Sequence, residues 1–238
     1  MKSLDLAIAE RATTRRSPHS RAPEVPHSLA EKAYDLLVRK ITRLEAEPGS
    51  VLVERELMEE FGIGRTPIRE ATQRLAIERL VNHLPKRGMF VSEITATGVQ
   101  QIYEFRLMID GHAAWFAATR ATTGQVNDLA QLHKSLVRAT EDDDIDEYVA
   151  CDRRFYQVLA SAAHNTLLAD SIPRVFNLHL RLWFFISRRI GGWHEIAQAH
   201  EVMTRDVVAA LQWRDPTKAK DAMETYVTGR LLDIKKIL

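Results

Sequence analysis

The chain has few features that would place it in an oxidising compartment or a membrane. Its 238 residues include one cysteine, Cys151, so an internal disulfide bond is excluded and a cytoplasmic location is expected. No apolar run reaches the roughly 20 consecutive residues that a membrane helix needs. The most apolar segment, residues 175–186, contains Asn177, His179 and Arg181 and predicts a buried helix.

The sequence also lacks an internal repeat, a nucleophile motif and a strong excess of charge of one sign. It carries 33 basic and 32 acidic side chains, and the formal net charge is +1. This weak net charge argues against bulk attraction to nucleic acid, so the distribution of charge along the chain is more informative. Hydrophobic residues make up 45% of the chain, enough for the cores of two domains of unequal size.

Charge is balanced but separated within residues 27–93, which contain eleven basic and eleven acidic groups. Glutamates dominate up to Glu60, whereas arginines and lysines dominate from Arg65 to Arg87. A domain of zero net charge can still present one basic surface, which is what contacts to phosphates need. The separation therefore keeps nucleic acid among the expected partners.

Three helices are predicted in this part of the chain. Ser28 with Glu31 three residues later indicates a capping box at the start of the first helix, which the Pro-Gly pair at 48–49 is expected to end. The second helix is expected at residues 54–61, with Gly62 closing it. The third helix begins near a Thr-Pro pair, since proline suits the first helical position.

Helix three is predicted to have two distinct faces. Because the residue before a proline avoids the helical conformation, Thr66 is expected to be the N-cap and Pro67 the first helical residue. At 100° per residue, the apolar side chains Ile68, Ala71 and Leu75 fall on one side. The polar face contains Arg65, Thr66, Arg69 and Gln73.

A basic hairpin follows, and the rest of the chain is predicted to be helical. Short strands are expected at residues 81–84 and 89–91, on either side of the turn Pro85-Lys86-Arg87-Gly88. Helical spacing and turn signals place six further helices near 97–120, 123–141, 144–163, 166–189, 193–212 and 216–236. Six long helices with short connections predict an antiparallel bundle.

The predicted fold class is therefore mainly α, with a winged helix-turn-helix followed by an all-helical bundle. We expect a flexible basic N-terminal arm at 1–27, a DNA-binding domain at 28–93, a linker at 94–98 and a helical domain for effector binding and dimerisation at 99–238. Several independent features predict the DNA-binding domain: two helices, the glycine turn between them, outward-facing arginines and a basic wing.

The motifs resemble the GntR regulators of bacteria, specifically the FadR-like branch with the helical FCD effector domain. The resemblance covers about residues 28–238. In the first domain it is carried by Pro48-Gly49, residues 52–57 (LVEREL), residues 64–71 (GRTPIREA) and residues 84–88 (LPKRG). In the second domain it is carried by residues 103–106 (YEFR), 152–155 (DRRF) and His164-Asn165.

The resemblance implies roles for individual residues of the first domain. Arg55 and Arg69 match positions that contact bases or adjoining phosphates in the major groove, and Gly88 matches a wing-tip glycine that enters the minor groove. The two donor groups of an arginine match the two acceptors of guanine, and each such contact discriminates against a wrong base by about 1–3 kcal/mol. The predicted DNA-contacting set is Arg55, Arg65, Thr66, Pro67, Arg69, Gln73, Lys86, Arg87 and Gly88.

The resemblance also implies an effector site, in which this sequence departs from its relatives. Many FCD domains hold a divalent metal ion with one aspartate and three histidines. The matching positions here are Asp152, Tyr156, His200 and Tyr226, so two imidazoles are replaced by phenols. A phenol ionises only near pH 10, so a zinc- or nickel-type cofactor is disfavoured, with Asp152 and His200 the only candidate ligands.

Together with Arg106, a candidate carboxylate clamp, these four residues predict a pocket for a small polar or anionic effector. His179, His133 and His194 are further imidazoles that would complete a metal site if they pointed inward, and a packed or solvated histidine is the alternative for each. A buried structural network of the same groups is the alternative to the pocket.

The predicted function is a ligand-responsive transcription regulator, with a repressor favoured. A homodimer is expected to bind a short inverted repeat of double-stranded DNA, in the bacterial cytoplasm and at the nucleoid when bound. For the helical domain, a metal-dependent sensor and a dimerisation module without effector are the alternatives. An enzyme using Asp152 and His200, or a plain helical scaffold, leaves the basic hairpin and the arginine face of helix three unexplained.

Overall fold

The computed structural model describes residues 28–237, so the predicted N-terminal arm at 1–27 lies outside the described residues. The described helices are α1 (Leu29–Thr42), α2 (Glu54–Phe61), α3 (Arg65–Ile77), α4 (Ala96–Arg120), α5 (Thr123–Glu141), α6 (Ile145–Ala162), α7 (Thr166–Ile190), α8 (His194–Gln212) and α9 (Pro216–Ile237). The strands are β1 (Val51–Leu52), β2 (Val81–Leu84) and β3 (Gly88–Val91). We call residues 29–91 the head domain and residues 96–237 the helical domain.

The predicted start of α1 is confirmed, but its end is not. The Ser28 hydroxyl accepts a hydrogen bond from the Glu31 N–H at 3.1 Å, and the Glu31 carboxylate accepts from the Ser28 N–H at 2.9 Å. The helix ends at Thr42, before the Pro-Gly pair at 48–49. Leu44, with φ of 58°, adopts the left-handed conformation and turns the chain earlier than the sequence signal indicates.

The prediction for the start of α3 is wrong by two residues. Gly64, not Thr66, is the N-cap, and Pro67 occupies the third helical position. The first four N–H groups of a helix have no partner within it, so a proline in the third position removes no hydrogen bond. The first bond of the helix runs from the Ile68 N–H to the Gly64 carbonyl at 3.4 Å.

The hairpin is part of a three-stranded antiparallel sheet with the order β1-β3-β2. β1 is not predicted from the sequence, because two residues are too short for an alternating pattern. In it, Val51 pairs with Phe90 and Leu52 with Met89. The tip of the hairpin, residues 84–88, is the wing. Pairing of β1 with β3 attaches the hairpin to the segment that leads into α2, and this positions the wing relative to α2.

The six predicted helices of the helical domain are confirmed, with ends within one residue. α4 begins at Ala96, so the last three residues of the predicted linker, 96–98, are helical. α4 and α9 pack closely, with Gly111 against the Glu224 side chain. Each domain has its own core, and Leu178 of α7 packs against the core of the head domain. No helix within residues 28–237 combines the length and apolarity needed to cross a bilayer.

Candidate functional site

The structure separates the two faces of α3 as the helical spacing predicts. Ile68, Ala71 and Leu75 are buried in the head domain, together with Thr72. The exposed face contains the predicted residues Arg65, Thr66, Arg69 and Gln73, and Pro67 is half-buried beside them. The side chains of Arg65 and Arg69 are 64% and 60% exposed, so their guanidinium groups are accessible to a ligand as large as a duplex.

A carboxylate that the sequence analysis missed holds these arginines. Glu54, the first residue of α2, accepts two hydrogen bonds from Arg69, from Nε at 2.6 Å and from Nη2 at 3.2 Å. Arg65 lies 3.8 Å from the same carboxylate. Glu54 and Arg69 are 15 positions apart, and no local pattern signals the pair. Glu54 thereby orients the Arg69 guanidinium with two hydrogen bonds.

The wing and α3 line one groove. This open cavity of about 560 Å³ lies between the two, and Arg69, His83, Lys86 and Gly88 are among its lining residues. Lys86 and Gly88 both have a positive φ, of 62° and 99°. At position 88 this conformation causes no steric strain, because glycine has no Cβ atom. The groove therefore combines an arginine of α3 with the cationic turn of the hairpin. His83 lies in the groove but is not in the predicted set.

The remaining predicted residues of the head domain are exposed near this groove or on α2. Arg87 is exposed at the hairpin turn. Arg55 is 85% exposed on α2 and pairs with Glu59 one helical turn later, at 2.8 Å. An exposed pair of this kind contributes about 0–1 kcal/mol, so it does not prevent Arg55 from pairing with another anion.

In the helical domain, Arg106 of α4 lies at the centre of a buried polar core, together with the other predicted effector residues. The arginine is 2% exposed. Its Nε donates to Asp110 at 2.8 Å, Nη2 donates to the Tyr156 hydroxyl at 2.7 Å, and Nη1 donates to Nδ1 of His179 at 2.7 Å. The predicted carboxylate clamp is thus occupied by Asp110, a residue of its own helix.

His179 is held neutral in this core. An arginine nitrogen only donates, so Nδ1 of His179 accepts and the imidazole proton lies on Nε2. Burial, and then the Arg106 guanidinium, hold the pKa of His179 well below its usual value. The imidazole therefore serves as an acceptor for Arg106.

Asp152 and His200 meet on the other side of the core. Their atoms Oδ1 and Nε2 lie 3.1 Å apart, but without hydrogen-bond alignment, so both are buried without a hydrogen-bond partner. Nδ1 of His200 lies 2.9 Å from the Tyr148 hydroxyl. Tyr156 and Tyr226 flank the imidazole, with ring centroids at 6.2 and 5.3 Å. The structure thus brings together all five predicted effector residues.

The core is closed, however. The cavity that touches Arg106, Tyr156 and His179 has a volume of about 10 Å³, close to one water molecule. A metabolite that binds there needs side chains to move apart. The described conformation therefore resembles the alternative of a buried polar network more than an open pocket.

The residues of the core do not fit a divalent metal ion. Within residues 28–237, no three His, Cys, Asp or Glu side chains lie together in a way that would hold one. Burial raises the pKa of both Tyr156 and Tyr226, so their phenols stay protonated and are poor ligands. The Arg106 cation, 2.7 Å from the Tyr156 hydroxyl, already supplies a positive charge.

A second polar cluster joins the two domains, and we call it the junction cluster. Its members are Tyr34 of α1, Arg74 of α3, Glu78 just after α3, Arg153 of α6 and Asn177 of α7. The Glu78 carboxylate accepts from the Tyr34 hydroxyl at 2.8 Å, from Asn177 at 3.2 Å and from Arg74 at 3.3 Å. Arg153 donates to the side-chain amide oxygen of Asn177 at 3.0 Å.

The junction cluster connects the exposed face of α3 to the polar core. Glu78 is 9% exposed and follows the last residue of α3, while Arg153 is adjacent in sequence to Asp152. Burial and Glu78 raise the pKa of Tyr34, so its hydroxyl remains a donor. The sequence analysis missed this cluster, because Glu78 and Asn177 are 99 positions apart.

Comparison with protein families matches both domains. Residues 29–91 match the family described as "Bacterial regulatory proteins, gntR family", and residues 101–229 match the FCD domain. The HTH-type transcriptional repressor RspR of Escherichia coli K12 is 29% identical over 207 residues, which are 87% of each chain. The HTH-type transcriptional repressor NanR of Salmonella newport is 26% identical, covering 96% of this chain and 94% of the relative.

Solved structures share the fold of the whole described chain. E. coli McbR/YncC superposes with a TM-score of 0.74 at 18% identity, covering 89% of this chain and 99% of the other. A GntR regulator from Rhodococcus sp. RHA1 gives a TM-score of 0.69 at 21% identity, with 88% and 98% covered. At these identities the likeness establishes the arrangement of elements and not the ligand.

Acidification is expected to destabilise the protein through His179. An unfolded histidine binds a proton near pH 6.5, whereas the folded imidazole stays neutral well below that pH. The unfolded state then binds more protons as the pH falls, so stability present above about pH 6.5 is lost below it. Thermal melts at about pH 7.5 and 5.5 measure the loss. The His179→Asn variant, which keeps an acceptor, should lose less, and an equal loss would assign the effect to other groups.

Purified protein is expected to contain well under one metal ion per chain by elemental analysis. Asp110 and His179 are held by Arg106, which leaves one carboxylate, Asp152, and one imidazole, His200, as potential ligands. The double variant Tyr156→His with Tyr226→His is the matched control, since it restores an Asp-His-His-His ligand set. It should retain zinc or nickel. One equivalent of metal in the unaltered protein would contradict the argument from the phenols.

Proposed function

The chain belongs to the gntR family of bacterial regulatory proteins, with an FCD domain after its DNA-binding head, and is a transcription regulator rather than an enzyme. We propose that it binds a short inverted-repeat operator as a homodimer and represses the adjoining genes, with an affinity set by a small carboxylate-bearing metabolite. Its place of action in this proposal is the bacterial cytoplasm, at the nucleoid.

The observation that carries the DNA-binding proposal is the groove between α3 and the wing. Arg69 of α3 and Lys86 of the wing both line it, and Arg65 and Gln73 are exposed along the same face of α3. A helix face of this kind fits the major groove, where arginine pairs with guanine. The flanking hairpin cations fit phosphates and the minor groove, so Glu54 would release Arg69 when DNA binds.

An exposed apolar stripe on α4 supports the homodimer. Phe105, Met108 and Trp115 are 40%, 59% and 36% exposed and lie within one third of the helix circumference. Large exposed apolar side chains on one helix face are a feature of interaction sites. A second copy paired through α4 would place two head domains on a two-fold operator, since a two-fold protein binds a two-fold site.

For the effector, the proposal keeps the polar core of Arg106, Asp152, Tyr156, His200 and Tyr226. The buried pair of Asp152 Oδ1 and His200 Nε2 supports it, because these atoms lie 3.1 Å apart without hydrogen-bond alignment, and buried polar atoms that lack an aligned hydrogen bond are uncommon. A carboxylate would bind by displacing Asp110 from Arg106, which requires the core to open. Movement of α6 would then reach Glu78 through Arg153 and Asn177.

A second candidate role for the helical domain is dimerisation without an effector. Two observations favour it: the cavity at the core holds only about 10 Å³, and the Arg106 guanidinium is already paired with Asp110. Titration of metabolites into Arg106→Gln and unaltered protein separates the two roles. A ligand that shifts the melting temperature of the unaltered protein alone supports the effector role.

The primary test of the DNA-binding proposal is to let the full chain select duplexes from a random DNA library. We expect an enriched inverted repeat whose half-sites lie about one helical turn apart, as two recognition helices on one face of DNA require. Enrichment of no motif, or of a single half-site, would contradict the homodimer proposal.

The Arg69→Ala variant should weaken binding to the selected operator by about 1–3 kcal/mol and relax base preference at one position in each half-site. The loss arises because the bidentate contact to guanine disappears. Competition between the operator and single-base variants measures it. An unchanged preference at every position would remove Arg69 from the contacting set.

The Lys86→Ala variant should weaken binding evenly across sequences. Removal of one phosphate contact should flatten the dependence of log affinity on log salt by about one unit, with base preference intact. Fluorescence anisotropy over a salt series gives the slope. A slope equal to that of the unaltered protein would place the wing away from phosphate.

A further inference from the structure

A larger cavity than the one at the polar core lies between the two domains. It has a volume of about 530 Å³, within the usual range of roughly 300–1,000 Å³ for ligand pockets. Its walls are the end of α3, the connecting segment, α4 and α7. Half-buried apolar side chains line it: Ile94, Ile102, Val175 and Leu178. We call it the interdomain cavity.

One side chain of this cavity is a buried arginine without a carboxylate partner. Arg181 of α7 is 3% exposed. Its Nη2 donates to the backbone carbonyl of Ser92, and its Nε is buried without a hydrogen-bond partner within the part of the chain that the structure describes. Arg106 is equally buried but forms an ion pair with Asp110 at 2.8 Å. Arg181 therefore has a backbone carbonyl as acceptor where Arg106 has a carboxylate.

The charges around Arg181 favour an anion. Burial lowers the pKa of Arg181 to about 10, with Glu93 as the opposing influence. Two acids line the cavity. Glu78 already accepts from Tyr34, Arg74 and Asn177, and Glu93 is exposed and influences Arg181 through its charge without a hydrogen bond to it. The hydroxyl oxygen of Ser92 is also buried without a partner. A buried charge is stabilised only by a close counter-charge with good hydrogen bonds, which a carboxylate would supply.

We propose that the interdomain cavity binds a small amphipathic monocarboxylate, with the carboxylate on Arg181 and the apolar body against Ile94, Ile102, Val175 and Leu178. A cavity of this volume accommodates an arylalkanoate or a medium-chain alkanoate. This site is separate from the polar core of Arg106, which shares no lining residue but Val175 with it.

Such a ligand would sit where the head domain joins the helical domain. Ile77 and Arg79 at the end of α3 line the cavity, as do Ile94 and Thr95 of the connecting segment. A bound ligand would fix the angle between α3 and α7 by contacting both. This regulatory consequence rests on the proposed function, whereas binding itself does not.

Calorimetric titration of the full chain with 4-phenylbutanoate, in the absence of DNA, tests the site. Its uncharged match is 4-phenylbutanol. We expect the acid to bind and the Arg181→Met variant to bind it about 10- to 100-fold more weakly, as loss of a charge-assisted contact predicts. The matched control is Arg188→Met, which removes another α7 arginine that donates to backbone carbonyls, those of Arg43 and Leu44, outside the cavity.

A second variant guards against a folding defect in Arg181→Met. Ile102→Phe keeps the arginine and narrows this cavity, and Ile102 does not line the polar core. It should also weaken binding while thermal melts show a folded protein. Equal affinity of Arg181→Met and the unaltered protein, equal binding of the alcohol, or loss of binding in Arg188→Met would overturn the proposal. Loss of binding in Arg106→Gln with Arg181→Met unaffected would place the ligand in the polar core and overturn it as well.

A parallel titration of the selected operator with and without 4-phenylbutanoate separates site from function. A change in operator affinity that Arg181→Met abolishes supports both. Binding of the acid with no change in operator affinity supports the site and contradicts regulation through it. If no operator is found, the calorimetry alone still decides the site.

Discussion

The buried carboxylate of Glu78 is the contact on which the relation between the two domains depends. It follows α3 directly and accepts hydrogen bonds from Tyr34 of α1, Arg74 of α3 and Asn177 of α7. Removing a partner of a buried charge typically costs about 3–5 kcal/mol, so these donors are held in place together. The orientation of α3 relative to the bundle is thereby set by directional bonds as well as by the packing of Leu178 on the head core.

The helical domain likewise contains a buried charged group held by several hydrogen bonds, but here the charge is positive. Where the resemblance places a metal ion, the chain places phenols and the guanidinium of Arg106, which contacts Asp110, Tyr156 and His179. A side chain of the protein thus supplies the positive charge that a metal ion would supply in those relatives, and the core around Arg106 is closed. Arg181 differs, because it lines a larger cavity and its hydrogen-bond acceptor is a backbone carbonyl and not a carboxylate. The two buried arginines thus differ in their surroundings, since Arg106 belongs to a closed network and Arg181 lines the interdomain cavity.

Much of the fold follows from local patterns. The helical spacing of apolar residues fixes all nine described helices, and it separates Arg65 and Arg69 from the buried face of α3. The start of α3 is mispredicted, because an unpaired N–H in the first turn lets a proline occupy the third position as readily as the first. β1 is missed, because two residues carry no period.

The candidate sites were predictable as a set of residues but not as geometry. The polar core could be assembled by resemblance, yet its closure depends on Asp110 and His179, whose roles follow only from packing. The pairs Glu54–Arg69 and Glu78–Asn177 join residues 15 and 99 positions apart, so no sequence period reports them. The interdomain cavity is likewise formed by segments that are distant in the chain, and its unpaired arginine is visible only once burial is known.

Hydrogen exchange of the full chain, with and without its selected operator, tests most directly whether the two domains are coupled through Glu78. We expect DNA to change amide protection in α2, α3 and the wing, and also in α7 around Asn177 and α6 around Arg153. Changes confined to the head domain would contradict it.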